Sequence, residues 1–101
     1  MPALVLPVGS TAEANSDGKQ QERWNVPTPH ADTVQHLRAQ LPVGFGYDGL
    51  PFCIEGIEHE LTIWCWGTKA DYVTVLVSPS GLTTGSEVSI RREPYTDACG
   101  R

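Results

Sequence analysis

The sequence predicts an α+β fold in two layers, with one short N-terminal helix packed on a three- to four-stranded antiparallel β-meander. Three observations lead there. Leu61–Trp66 and Tyr72–Val77 alternate with a period of two on either side of Gly67-Thr68-Lys69-Ala70-Asp71, as the arms of a hairpin do. Val34, Leu37 and Leu41 recur at helical spacing. Pro79-Ser80-Gly81 then reads as a turn before a further alternating run, Glu87-Val88-Ser89-Ile90-Arg91.

A chain of 101 residues makes one domain with a single modest core. Its boundaries fall at a flexible N-terminal segment over 1–24, an α+β domain over 25–94 and a frayed tail over 95–101. Gly9 to Arg23 is polar with little to bury, which reads as flexible. Ahead of it, Ala3-Leu4-Val5-Leu6 suits either a short edge strand or a loosely docked tail between its flanking prolines. Asn25-Val26-Pro27-Thr28-Pro29 is a rigid lead-in, because each proline fixes its own φ and extends the residue before it. Thr28 is then placed as an N-cap with Pro29 at the first helical position. Pro42 and Gly44 end the helix after about three turns.

Gly44, Gly46 and Gly49 have the beat of a phosphate loop but follow a helix. The dinucleotide mechanism needs a strand before the glycines and a helix N-terminus after them, so a helix-to-strand turn is the expectation here. Phe52-Cys53-Ile54-Glu55 begins the next strand, and Gly56 to Glu60 turns into Leu61.

Function enters through the hairpin's two faces. With a five-residue loop at 67–71, Trp66 lies opposite Tyr72 and Trp64 opposite Thr74. Leu61, Ile63, Cys65, Val73, Val75 and Val77 then share an aliphatic face for the helix, leaving Trp64, Trp66 and Tyr72 on the other. A short helix shields one face only. The aromatic face is therefore either covered by Trp24, Tyr47, Phe45 or the N-terminal segment, or it binds a partner; exposed indoles and phenols are the side chains enriched at binding hot spots. A homodimer is the simplest such partner.

Net charge is −5, and no Lys or Arg falls between Arg38 and Lys69, where Asp48, Glu55, Glu58 and Glu60 cluster. That argues against nucleic acid and anionic membranes, and for a protein with a basic surface. The same charges also suit a solvated strand edge guarded against unwanted pairing.

No complete catalytic, metal or nucleotide motif is present, so no cofactor is expected and the chain is not read as an enzyme. Cys53, His59 and Cys65 are evenly spaced candidate metal ligands with Cys99, His30 or His36 as a fourth, yet zinc sites favour closely spaced pairs. Whether Cys53 and Cys65 pair is left open by the sequence, with free thiols favoured by an odd cysteine count. Glu58-His59-Glu60 reads as a solvated turn, since adjacent strand residues point apart. With no signal peptide or membrane span, the expected location is cytoplasmic; a mature secreted fragment restarted with Met would look the same. The leading expectation is a small acidic, non-enzymatic interaction domain, an inhibitor or adaptor, contacting its partner through Trp64, Trp66, Tyr72, Glu58, Glu60 and Asp48. Two alternatives are a small-molecule or metal-binding domain using Cys and His, and a structural subunit of a larger assembly.

Overall fold

In the computed structural model, residues 5–12, 21–47, 49–58, 60–68, 71–81 and 83–93 are described. In chain order the elements are β1 (Thr11–Ala12), β2 (Gln21–Val26), α1 (His30–Arg38), β3 (Phe52–Glu58), β4 (Leu61–Thr68), β5 (Asp71–Pro79) and β6 (Ser86–Glu93). The general class is α+β as expected, but the antiparallel sheet has six strands in the order β1-β2-β6-β5-β4-β3, not three to four. Two of these strands lie in or overlap the segment expected to be flexible. The tail over 95–101 lies outside the described residues.

Helix α1 starts one residue later than its sequence signature. Pro29 occupies the cap position with φ −58° and ψ 157°, and no side chain caps the first turn. The Thr28 hydroxyl turns instead to the Thr33 hydroxyl. Thr33 Oγ1 is 2.7 Å from Ser86 Oγ, and Ser86 donates to the Thr28 carbonyl at 2.9 Å, so the helix start is tied to the first residue of β6 by hydroxyls. Thr33 is buried alongside Leu37, because its two neighbours' hydrogen bonds satisfy its oxygen.

The connection after α1 does the covering that a nine-residue helix cannot. Leu41, Tyr47 and Leu50 are buried there, and Tyr47 and Leu50 exchange backbone hydrogen bonds at 2.9 Å around Gly49, whose φ of 81° suits a residue without Cβ. The glycine-rich stretch is thus a turn from helix to strand.

Strands β3 to β6 follow one another as a meander, and β2 closes the other side by pairing with β6, Trp24 opposite Val88 and Val26 opposite Ser86. The β4–β5 register overturns the expected faces. Thr68 pairs with Asp71, so Trp66 lies opposite Val73, Trp64 opposite Val75 and Thr62 opposite Val77. A register change of one residue moves a whole strand's side chains to the other face. Trp64 and Trp66 consequently join Val73, Val75 and Val77 in the helix-side core, and both are 0% exposed. Leu61, Ile63 and Cys65 fall on the opposite face with Tyr72, Thr74 and Leu76.

Candidate functional site

The two tryptophans are not a surface. Each indole is packed and its N–H satisfied: Trp64 Nε1 donates to Glu55 Oε2 at 2.7 Å, and Trp66 Nε1 donates to the carbonyls of Phe45 at 2.9 Å and Pro42 at 3.3 Å. Tyr47 and Phe52 meet the Trp66 ring edge-on, with centroids 4.9 and 5.8 Å away. Assigning Trp64 and Trp66 to partner binding is corrected by this burial. The cover comes from the helix, expected on the other face, and from Tyr47 and Leu50 in the connection after it; of the covering residues the sequence offered, Tyr47 packs on Trp66 while Phe45 is 74% exposed.

Tyr72 does lie on the face away from the helix, but it is 4% exposed. Its ring crosses the backbone of Gly67, where a Cβ would sit 2.1 Å from Tyr72 Cδ1. Cys65 and Thr74 are buried on this face too, and the Thr74 hydroxyl donates to Cys65 Sγ at 3.6 Å. Farther along, a groove of about 220 Å³ runs past Leu61, Leu76, Ser78 and Ser89, with Arg23, Arg91 and Glu87 on its walls. Two arginines and one glutamate thus line it.

The acidic residues fare differently. Glu58 ends β3 and Glu60 precedes β4, and both are exposed at the tip of the β3–β4 hairpin. Beside them, Ile57 is 75% exposed and Leu61 37%. Asp48 and His59 lie outside the described residues. Sequence reasoning missed Ile57, which sits in a stretch read as a turn; the alternation Ile54-Glu55-Gly56-Ile57-Glu58 was the available signal, weakened by its glycine.

Strand β3 forms one edge of the sheet. Glu55, on its helix side, receives Arg38 Nε on Oε2 at 2.7 Å and Arg38 Nη2 on Oε1 at 3.1 Å. These hydrogen bonds, first from Arg38 and then from Trp64, hold the Glu55 carboxyl below its usual range and raise Arg38. At the other end of the sheet Arg92 grips Asp71 with contacts of 3.0 and 2.6 Å and lowers its carboxyl in the same way.

The metal candidates are dispersed. Cys53 is in a disulfide and Cys65 is free, so these two do not pair, and Cys53 presents no thiolate. It is Ile54 that lies opposite Cys65, because the register shifts between Phe52 and Ile54. His30 Nε2 contacts Thr62 Oγ1 at 3.3 Å, and His36 Nε2 lies 2.7 Å from the Val5 carbonyl. Among the described residues no group of three His, Cys, Asp or Glu side chains is placed to hold a metal ion. Free thiols, the favoured state, fail at Cys53. No described helix is long and apolar enough to cross a membrane.

No family model, curated protein or solved structure matches this chain.

Proposed function

We propose that the chain is a small acidic, non-enzymatic interaction domain, an inhibitor or adaptor that meets a basic surface of a larger protein. Its contact surface is the outer side of β3 with the β3–β4 tip, in place of the tryptophans. The observation that carries this reading is Ile57, an isoleucine 75% exposed on the outermost strand between Glu55 and the exposed Glu58. Large apolar side chains left in water beside like-signed charges are a common arrangement at transient interfaces, where the apolar group contributes affinity and the charges steer approach. Against catalysis stand the occupied acids and bases: Glu55 and Asp71 serve arginines, and His30 and His36 contact Thr62 and Val5.

The experiment is a charge reversal. Tagged wild type and Glu58→Lys/Glu60→Lys are used to purify partners from the native host, and any recovered protein is titrated back at two salt concentrations. Wild type is expected to hold a partner whose affinity falls with salt, and the double variant to lose it while melting at an unchanged temperature. Equal retention by both proteins would refute the reading.

A further inference from the structure

We infer that the occupant of this edge is an extended basic segment of the partner, which adds to β3 as a seventh strand; the inference rests on the interaction reading above. The backbone makes the case. In an antiparallel pair, residues alternate between turning their N–H and C=O to the neighbour and turning them away. Glu58 pairs with Leu61 across a two-residue connection, which makes that pair the hydrogen-bonded one. Gly56 and Ile54 share its phase and point inward with it. Glu55 and Ile57 therefore direct their N–H and C=O out of the sheet. The contact from Gly67 N to the Pro51 carbonyl, 2.9 Å, agrees, since it shows the odd-numbered residues of β4 turned toward β3.

Among the described residues the opposite edge is β1, only two residues long. On β3 the bulge between Phe52 and Ile54 and the disulfide at Cys53 occupy one end, and pairing runs regularly from Ile54 to Glu58. No Lys, Pro or further bulge blocks that stretch. An added strand would find open backbone at two positions, an apolar contact in Ile57 and carboxylates in Glu58 and Glu60, which is the pattern of recognition by strand addition.

Charge selects the occupant. A second copy of this chain would bring its own Glu58 and Glu60 to the same edge and add to its negative charge, where a basic segment offsets it. Arg38 already neutralises Glu55, so the uncompensated charge lies at Glu58 and Glu60. A segment alternating Lys or Arg with aliphatic residues matches both features.

The test uses the whole ¹⁵N-labelled chain and two capped synthetic peptides of about nine residues, long enough for one strand, one alternating Lys with Val and one alternating Glu with Val. The Lys peptide is expected to slow amide exchange at Glu55 and Ile57 by about ten-fold or more while leaving Gly56 and Glu58 unchanged, and the Glu peptide to do nothing. Ile57→Pro deletes one outward N–H without touching the β3–β4 ladder and should abolish the effect. No slowing with the Lys peptide, slowing confined to the Arg23–Leu76 groove, or equal binding by Ile57→Pro would overturn the inference. Concentration-dependent protection of the same amides without peptide would replace the basic segment by a second copy. If the Lys substitutions abolish capture of the host partner and Ile57→Pro does not, strand addition falls and the interaction surface stands; if neither matters, both fall.

Discussion

Trp64 donates its indole N–H to Glu55 Oε2 at 2.7 Å, joining a fully buried side chain of β4 to a partly exposed carboxylate on the sheet's edge. The same oxygen accepts from Arg38 in the last turn of α1. One carboxylate thus ties helix, edge strand and core together, and it lets an indole be buried without an orphaned N–H.

Trp64→Phe keeps much of the apolar volume and removes that donor. It is expected to cost about 1–3 kcal/mol, from the lost charge-assisted bond and imperfect filling, whereas Trp64→Ala should cost about 3–5 kcal/mol. Urea unfolding of the two variants measures both. A Trp64→Ala protein as stable as wild type would return this residue to the surface.

Acid should weaken the fold in a defined window. Glu55 and Asp71 have folded pKa values below their unfolded ones, so their contribution is complete above the ordinary carboxylate range and is lost as pH falls through the depressed folded values. The urea midpoint is expected to hold down to about pH 5 and to decline below about pH 4. Glu55→Gln should flatten part of that decline. An acid limb identical in this variant and wild type would contradict the assignment to Glu55.

Gly67→Ala should destabilise more than an exposed strand glycine would. Its Cβ would meet Tyr72 Cδ1 at 2.1 Å and the Asp71 carbonyl at 2.6 Å, so the strands or the ring must move. Overpacking of this kind costs about 1–3 kcal/mol. Thermal melting is the check, and Gly67→Ala should cost less in a Tyr72→Ala background than in wild type, by the part of the loss due to the ring.

Thr33→Val preserves shape and deletes the hydroxyl between Thr28 and Ser86. With these oxygens losing a partner in the interior, the expected cost is about 1–2 kcal/mol, and Thr33→Ser should restore most of the hydrogen-bond contribution. Equal stability of the Val and Ser variants would mean that the hydroxyls contribute nothing.

The sequence carried the helix at Val34 and Leu37 and the alternation of β4, β5 and β6, because each has a local period. It did not carry the register. Both faces of β4 are apolar, Leu61, Ile63 and Cys65 on one and Trp64 and Trp66 on the other, so alternation alone could not choose between them. The segment between the arms has no Asn-Gly or Asp-Gly step to announce a two-residue connection, and a five-residue reading turned the tryptophans outward. Strand β2 was hidden for a different reason. Only Trp24 and Val26 mark its inner side, with Glu22 in the third place, and its order comes from pairing with β6, distant in sequence. Of the candidate site, the acidic residues Glu58 and Glu60 were legible from composition; the exposure of Ile57 depends on the edge position of β3, which only the assembled sheet defines.

Amide exchange along β3 in the free chain at neutral pH tests the open edge most directly. An alternation is expected, with Gly56 and Glu58 protected by β4 and Glu55 and Ile57 exchanging rapidly into water. Uniform protection from Ile54 to Glu58 would show the edge already occupied and would contradict it.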